Sequence, residues 1–296
     1  MIGPLLAVLT AISFGLHGVF LRRAVLKVSK ASLGILITVP MSVPLFFFIL
    51  VFTGQIRSIL YFSWQNYVWF SLAGIFHFVV GRTLAYQCVQ LVGANIASLL
   101  RRINILVAVV VGVSLLHEPL SWQLAIGVFL IIAGISIAGS SHQALRNSDG
   151  QFSKIPTKAF VLGFGCGVAW GLSPIFVKLG LKGSGSPIAG AFIAFVAATV
   201  VLSISLANRT RRSSIVQIIG PATGLFLIAG LLSFTAHLFR FLALNLTPAS
   251  VVSPIISTSP VFLLVFSFLF NRKMEIFSRP VIIGAAMVVV GTIILV

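Results

Sequence analysis

The chain has 296 residues, of which 59% are hydrophobic and only 8% are charged, and its formal net charge is +17. Soluble domains carry about 25% charged residues, so this composition excludes a soluble globular protein. The positive charge does not indicate a nucleic-acid partner, because Lys and Arg are scattered through loops rather than gathered into one basic, aromatic-rich domain. The composition instead predicts a chain that lies in a lipid bilayer.

Apolar runs long enough to cross about 30 Å of hydrocarbon recur along the whole chain. They are too long for the strands of a membrane barrel and lack the strict alternation of such strands. Backbone groups in lipid must be hydrogen-bonded within the protein, which favours helices. We therefore predict an all-α integral membrane protein with ten transmembrane helices. The ten segments lie at residues 2–21, 33–52, 67–89, 94–116, 122–138, 159–177, 187–206, 218–242, 249–270 and 280–296.

The Lys and Arg residues between these segments predict how the helices are oriented. The first segment is followed at once by Arg22, Arg23, Lys27 and Lys30, so it is interpreted as an anchor rather than a removable signal peptide. Ten helices divide the loops between two sides, and one side collects most of the basic residues. The positive-inside rule places that side in the cytoplasm and both termini outside, in a multi-pass protein of the plasma or inner membrane.

Two cysteines, Cys88 and Cys166, lie in or beside apolar segments and lack the spacing of metal ligands. They are interpreted as small core residues. The sequence predicts no cofactor and no metal site. It leaves the oligomeric state open, including a homodimer.

Three sequence blocks occur twice, in the same order and separated by about 156 residues. The matching pairs are FGLHGVF at 14–20 with WGLSPIF at 170–176, residues 86–94 with 241–249, and the span from Glu118 to Gly134 with that from Glu275 to Gly291. A basic residue follows the first block in both copies, as Arg22 and Lys178. Chance similarity between apolar helices could produce one such match but hardly three, so the chain is predicted to be two copies of a five-helix unit.

Because five is an odd number of crossings, the second copy must enter the membrane from the side opposite to the first. This predicts an inverted repeat about an axis in the membrane plane. The first five-helix repeat covers residues 1–140, a connecting loop covers 141–158, and the second repeat covers 159–296. Secondary transporters commonly have this architecture and bind substrate near the midplane, where the repeats meet.

The two halves resemble a known family in specific residues. Each half opens with an aromatic-glycine helix, at residues 14–15 and 170–171, and closes with a glutamate before a glycine-rich last helix, Glu118 and Glu275. Over nearly its whole length the chain is similar to EamA-type transporters of the drug/metabolite transporter superfamily. The resemblance implies ten helices, alternating access around a central cavity, and substrates that include amino acids, other small metabolites, nucleotide sugars and phosphorylated sugars.

The sequence departs from the pattern of that family in two respects. The family usually has a proline in the fourth helix of each half. Pro260 supplies it in the second half, whereas the first half has residues 103–105, Ile-Asn-Ile, after two arginines. Family members are also commonly drawn with cytoplasmic termini, in contrast to the loop charges, so both orientations stay open.

Three arginines are predicted to lie inside the bilayer. Arg101 and Arg102 lie about seven residues into the fourth segment, roughly 10 Å below its start, and Arg82 lies about as far before the end of the third. Only a few residues join these two segments, so we expect antiparallel neighbours with the three arginines at similar depth. Each arginine near the bilayer centre costs about 2.5–3.5 kcal/mol, which something must compensate.

Two interpretations of these arginines stay open. In the first, they extend to the lipid headgroups or pair with Glu275 in a loop. In the second, at least one points into a water-filled cavity and binds an anionic group, because the guanidinium fork suits carboxylate and phosphate. Arg101 and Arg102 differ by about 100° around a helix, so they need not share a role.

Polar side chains recur at helical spacing on the eighth and first segments. The two sets are Ser233, His237 and Arg240, and Thr10, Ser13 and His17. Each set would line a cavity or form contacts between helices. His237 corresponds to Arg82 in the repeat, so each half would bring an ionisable group to the same depth.

The ninth segment contains two prolines, and Ser253 and Ser257 are candidates to line a cavity there. A kink filled by their hydroxyls is the alternative. Trp170 is interpreted either as stacking on a substrate or as packing in the core. Glu118 and Glu275 are interpreted as structural, because a carboxylate favours the positive end of a helix.

The sequence predicts a secondary transporter rather than an enzyme. Membrane enzymes generally need clustered carboxylates, His-Asp pairs or a nucleophile triad, and three acidic residues in loops provide none of these. The predicted partners are the lipid bilayer and a small metabolite, anionic or zwitterionic, such as an amino acid, an organic acid or a phosphorylated compound. The candidate substrate-binding residues are Arg82, Arg101, Arg102, His237, Arg240, Ser253, Ser257, His17 and Trp170.

Two other functions stay open at this point. A translocase for an anionic lipid-linked group would use the arginines to take a phosphate headgroup from the leaflet. A non-transporting membrane scaffold or sensor belongs to a different class, and nothing in the sequence excludes it.

Overall fold

The computed structural model describes residues 2–105, 107, 110, 122–139, 145–146, 152–153, 155–181, 186–207, 220, 222–246, 252, 255–256 and 258–295. Helices dominate this part of the chain. Two strands of two residues each, Leu145–Arg146 and Phe152–Ser153, pair antiparallel between the two halves. Outside this small hairpin, the described residues confirm the predicted all-helical fold class.

Six described helices lie in the first half and five in the second. The first half contains α1 (Ile2–Val25), α2 (Ile35–Thr38), α3 (Ser42–Phe52), α4 (Trp64–Gly74), α5 (Arg82–Leu100) and α6 (Trp122–Gly139). The second half contains α7 (Thr157–Leu181), α8 (Pro187–Ser205), α9 (Thr223–Leu246), α10 (Ser259–Phe270) and α11 (Arg279–Leu295). A π-helical stretch, Ile75–Gly81, joins α4 to α5.

Local sequence signals explain where several helices begin and end. Ser63 and Asn66 form a capping box at the start of α4, in which the Asn66 side chain accepts a hydrogen bond from the Ser63 amide at 2.8 Å. Pro187 and Pro260 lie in the first turns of α8 and α10, where a missing amide hydrogen costs nothing. Pro40 falls in the turn that separates α2 from α3, so the predicted segment 33–52 is divided there.

The described residues contain six helical segments that are long and apolar enough to cross a membrane. One of them, Trp64–Ile105, has 42 residues and is long enough to cross twice. Three shorter apolar helices accompany them, at Ala125–Ala138, Ser259–Phe270 and Arg279–Ile294. Bulky apolar side chains face outwards, including Phe52 and Phe129 at 86% and 67% exposure. These are the features of a multi-pass membrane protein.

The chain reverses direction at Gly93, within the helical run of α5. Gly93 has φ 83° and ψ 165°, which lies outside the helical region. The chain on both sides of Gly93 contacts Trp170. Before Gly93, the His77 carbonyl accepts a hydrogen bond from the Trp170 indole nitrogen at 3.0 Å. After Gly93, the Arg101 guanidinium carbon lies 5.3 Å from the centre of the Trp170 ring. In a straight helix His77 and Arg101 would be about 36 Å apart. The predicted antiparallel pairing of the third and fourth segments is therefore confirmed.

Gly93→Ala is expected to lower the free energy of unfolding by about 1–3 kcal/mol, because its backbone conformation is one that essentially only glycine adopts. The new methyl group would also lie 2.6 Å from Oε2 of Glu275 and displace that carboxylate. Thermal unfolding in detergent measures the change. Gly54→Ala is the control, since Gly54 also has a positive φ of 68° but no atom lies within 4 Å of the added methyl. Equal losses in the two variants would show that the Glu275 contact is unimportant.

Helices α6 and α11 cross at two pairs of glycines. A methyl group on Gly134 would lie 2.7 Å from the carbonyl oxygen of Gly284, and one on Gly291 would lie 2.8 Å from that of Gly127. The order of these contacts along the chain makes the two helices antiparallel. In the sequence repeat, Gly127 corresponds to Gly284, and Gly134 corresponds to Gly291. If the two copies are exchanged, the contact between Gly134 and Gly284 becomes the contact between Gly291 and Gly127. A local two-fold axis, perpendicular to both helices, therefore relates α6 to α11.

Candidate functional site

A cavity of about 570 Å³ lies between the helices. Helices α1, α4, α5, α7, α8, α9 and α10 all contribute residues to its wall. Phe70 and Leu181 line one end, and Leu21 and Val89 line the other. Since 19 residues of helix separate Phe70 from Val89, the cavity extends along the bundle for about 28 Å.

The wall of this cavity is positively charged. Four arginines line it, namely Arg82, Arg101, Arg102 and Arg240, and none of the described lining residues is Asp or Glu. The guanidinium groups are therefore not neutralised by carboxylates from the described wall. An anion that entered would be attracted strongly, because the surroundings have a low dielectric constant.

Arg82 is held by α5 with only 4% of its surface exposed. Its Nη2 donates to the hydroxyl oxygen of Ser233 on α9 at 2.9 Å, and its guanidinium carbon lies 5.0 Å from the ring centre of Phe78. Its Nη1 is buried and has no hydrogen-bond partner. A buried donor without a partner costs about 1–3 kcal/mol, or more when it is charged, so this nitrogen of Arg82 is an unsatisfied donor beside the cavity.

The helix that follows Gly93 is interrupted at Arg101 and Arg102. The amides of Arg102, Asn104 and Ile105 donate to the carbonyl three residues earlier, rather than four, at 2.9, 3.1 and 3.0 Å. This spacing is that of a tightened 3₁₀-type turn. The sequence offers neither glycine nor proline here, so the uninterrupted helix predicted over 94–116 is wrong at this point. Residue 106 and most of 108–121 lie outside the described residues.

Both arginines at this interruption line the cavity. The guanidinium group of Arg101 lies over the Trp170 ring, and its Nη1 is buried without a hydrogen-bond partner. Arg102 donates through Nη2 to the hydroxyl of Ser259 on α10 at 3.0 Å. Arg101 thus has an unused donor, whereas Arg102 connects the helical arm after Gly93 to α10.

Three histidines and Trp170 form an aromatic part of the same wall. The His77 ring stacks on Trp170 with ring centres 5.2 Å apart, and it meets the His237 ring edge-on at 5.5 Å. The Nδ1 atom of His17 lies 2.7 Å from the Ala229 carbonyl oxygen, so this nitrogen carries the proton. The flat faces of these rings leave the cavity able to contact an apolar or planar part of a ligand.

Seven of the nine predicted binding residues line the cavity. They are Arg82, Arg101, Arg102, His237, Arg240, His17 and Trp170. Ser253 and Ser257 lie outside the described residues. Thr10 is buried but its hydroxyl donates to the Leu6 carbonyl within its own helix, so of the polar set on α1 only His17 reaches the cavity wall among the described residues.

Several polar residues of the wall were not among the nine predicted binding residues, and Asn104 and Ser259 are two of them. Asn104 has a buried side-chain oxygen without a hydrogen-bond partner, and Ser259 accepts the bond from Arg102. They occupy corresponding positions in the two repeats, so the repeat alignment applied to the neighbours of Arg102 would have found both. Among the described residues, no group of His, Cys, Asp and Glu could hold a metal ion, and both cysteines are buried free thiols.

Glu275 does not pair with the cavity arginines, so the ion pair with Glu275 that the sequence left open for them is not formed. Its carboxylate accepts hydrogen bonds from the amides of Ala94 and Asn95 at 2.6 and 3.1 Å, and it lies 3.5 Å from Nε of Arg22. It therefore caps the helical arm after Gly93, not the helix that follows it in sequence. Burial raises the pKa of the Glu275 carboxyl, while Arg22 and the two amides oppose that rise.

Comparison with known proteins places this architecture in a family. The model of the EamA-like transporter family matches residues 1–140 and 157–296. The chain belongs to the EamA-like transporter family. The resemblance carried by the aromatic-glycine and glutamate motifs is thereby confirmed. Because members of the EamA-like family are transporters, the prediction that the protein is not an enzyme is also confirmed.

A solved structure described only as the crystal structure of a protein is similar in fold. The match covers 97% of the EamA-family chain and 95% of the other chain, with a TM-score of 0.55 and 14% sequence identity. At this identity the similarity concerns the fold alone. No curated protein matches the sequence.

Proposed function

We propose that this protein is a secondary transporter that carries a small anionic metabolite across the cell membrane by alternating access. The observation that supports this most strongly is a pair of buried guanidinium nitrogens, Nη1 of Arg82 and Nη1 of Arg101, that have no hydrogen-bond partner and belong to residues lining the cavity. Carboxylates and phosphates accept two parallel hydrogen bonds from a guanidinium fork. An anion would therefore satisfy donors that are otherwise costly to bury.

An anion fits the cavity better than a zwitterion or a cation. An ammonium group in the cavity would face four guanidinium groups and no carboxylate from the described wall residues. Repulsion between like charges is strong where water is scarce. We therefore narrow the predicted substrate to net anionic compounds, with the aromatic wall around Trp170 available for their less polar part.

We further propose ten membrane crossings arranged as two inverted five-helix repeats, over residues 1–140 and 159–296. The antiparallel pairing of α6 and α11 supports the inversion. A second pair of contacts obeys the same symmetry. A methyl group on Gly15 would lie 2.9 Å from Cβ of Phe262, and one on Gly171 would lie 2.7 Å from Cβ of Val107. Gly15 corresponds to Gly171 in the repeat and Val107 to Phe262, so the two contacts are equivalent.

Ligand-dependent thermal stability of the purified protein tests the proposed charge preference. Inorganic phosphate, citrate, glutamate and putrescine are compared at equal ionic strength, with chloride as the reference that accounts for screening. A bound anion at a hundred times its Kd should stabilise the protein by about 2.7 kcal/mol. Uptake of the best-stabilising compound into proteoliposomes then tests transport. Stabilisation and uptake of putrescine without any effect of the anions would contradict the proposal.

A further inference from the structure

Arg82 and Arg101, whose Nη1 atoms have no hydrogen-bond partner, contact different helices of the second half. Nη2 of Arg82 donates to the Ser233 hydroxyl oxygen on α9 at 2.9 Å, and its guanidinium carbon lies 5.0 Å from the centre of the Phe78 ring. The guanidinium carbon of Arg101 lies 5.3 Å from the centre of the Trp170 ring on α7. Both arginines line the cavity. Each guanidinium group is thus held at a position of its own in the cavity wall.

A row of aromatic rings connects these two positions. The His77 ring stacks on Trp170 of α7 with ring centres 5.2 Å apart, and it meets the His237 ring of α9 edge-on at 5.5 Å. His237 lies about one helical turn after the serine that binds Arg82. All three rings line the cavity. The wall therefore runs from Arg101 along Trp170, His77 and His237 towards the helix that holds Arg82.

No described residue of this wall offers a counter-ion at either position, since none of them is Asp or Glu. A carboxylate pairs with one guanidinium fork through two parallel hydrogen bonds, which use both of its oxygens. If Arg82 and Arg101 each keep their contact with a different helix, one carboxylate cannot pair with both in this way. Two anionic groups are then needed to satisfy the two buried Nη1 atoms.

We infer that the transported compound carries two anionic groups separated by a short spacer, one bound by Arg82 and the other by Arg101. This inference rests on the proposed transport of an anion and narrows the substrate to dicarboxylates and related compounds with two separated anionic groups. The spacer lies along the rings of His77, Trp170 and His237, which offer it an apolar surface.

Trp170 determines the preferred spacer length in this arrangement. Its indole nitrogen donates to the His77 carbonyl oxygen at 3.0 Å, and a methyl group added to Gly81 would collide with the indole ring. Gly81 directly precedes Arg82 in the chain. The same indole holds the guanidinium group of Arg101 over its ring. Trp170 therefore contacts the backbone beside one arginine and the side chain of the other, which makes it a specificity-determining residue.

The experiment compares dicarboxylates of increasing length with their monoamides. Succinate, glutarate, adipate and pimelate are titrated into the purified protein by calorimetry at equal ionic strength, which keeps screening constant. In each monoamide a neutral amide replaces one carboxylate, so the length and shape change little while one charge is lost. The ratio of the two affinities at each length measures what the second carboxylate contributes to binding.

The best dicarboxylate should bind the wild type about 30-fold or more tightly than its monoamide, because the amide leaves one buried guanidinium group without a carboxylate. The ratio should be largest at one spacer length. Arg101→Met should remove most of this preference, and the dependence on length with it, since only one anionic group then has its arginine. A merely structural loss would weaken both ligands equally and leave the ratio unchanged. Arg272→Met is the control, since Arg272 lies over Phe268 and is not part of the described cavity wall.

Trp170→Leu tests the spacer length without removing a charge. The variant loses the ring that holds Arg101, so it should weaken the best dicarboxylate about 2- to 30-fold and make neighbouring lengths bind more equally. Trp69→Leu is the matched control, since Trp69 stacks on Phe176 at 6.0 Å and is not part of the described cavity wall. This comparison decides the matter even if Arg101→Met fails to fold.

Three results would overturn the inference and leave the proposed anion transport intact. The first is a monoamide that binds the wild type as tightly as its dicarboxylate at every length. The second is a dicarboxylate preference that has no preferred length and survives Arg101→Met, since the overall positive charge of the cavity would explain it. The third is inorganic phosphate that binds more tightly than every dicarboxylate, because one compact group would then serve both arginines. Failure of all these anions to bind would instead contradict the proposed function, and this inference with it.

Discussion

Arg82→Met is expected to weaken anion binding at least about 30-fold while leaving the protein at least as stable as the wild type. Loss of a buried, charged hydrogen-bond donor from a binding site costs about 2–5 kcal/mol, or roughly 30- to 5,000-fold in affinity. Folding should not suffer in the same way. A guanidinium inside the bilayer costs about 2.5–3.5 kcal/mol, and the bond to Ser233 returns only about 1 kcal/mol of this. Methionine fills a similar volume without charge.

Two measurements separate the roles of Arg82, namely the unfolding temperature without ligand and its increase on adding the best-stabilising anion. Arg272→Met is the control, since Arg272 lies over Phe268 at 4.8 Å and is not part of the cavity wall. Arg82→Lys keeps the charge but not the guanidinium fork and should bind anions with intermediate affinity. An Arg82→Met protein that unfolds at lower temperature yet responds normally to anions would show that Arg82 is structural.

The repeat could be predicted from the sequence because close helix contacts depend on its glycines. Gly127, Gly134, Gly284 and Gly291 allow α6 and α11 to touch through backbone atoms, where any larger residue would collide. Such positions keep glycine in both copies and so reveal the alignment. Helix bounds were predicted less well: the segment 33–52 was taken as one helix, although Pro40 is a local signal for the turn that divides it.

The charged part of the site could also be predicted, since an arginine in an apolar run is visible in the sequence and has few acceptable environments. The hydrogen-bond partners of Glu275 could not be predicted from the sequence. Its carboxylate binds amides about 180 positions away in the chain, and that contact exists only because Gly93 turns the chain beside the end of α1. The tightened turn at Arg101 carries no glycine or proline signal, so local sequence gave no reason to expect it.

Glu275→Ala is expected to lower the free energy of unfolding by about 3–5 kcal/mol. It would leave the charge of Arg22 without a counter-ion and the buried amides of Ala94 and Asn95 without an acceptor. Glu275→Gln should cost much less, because an amide oxygen can replace one carboxylate oxygen and a neutral group loses less hydration on burial. Titration with a denaturing detergent measures both. In a double-mutant cycle, Arg22→Ala should recover part of the loss in Glu275→Ala.

The pH dependence of these variants provides an independent check on Glu275. Burial raises the pKa of its carboxyl above 4.5, so the folded protein binds this proton at higher pH than the unfolded chain does. The stability that this group contributes is therefore fully present below the unfolded pKa and is lost as the pH rises through the folded pKa. The glutamine in Glu275→Gln cannot titrate. As the pH rises through the folded pKa of Glu275, the unfolding free energy of Glu275→Gln should therefore increase relative to that of the wild type. If the difference in unfolding free energy between Glu275→Gln and the wild type does not change with pH, Arg22 and the two amides stabilise the carboxylate as well as water does.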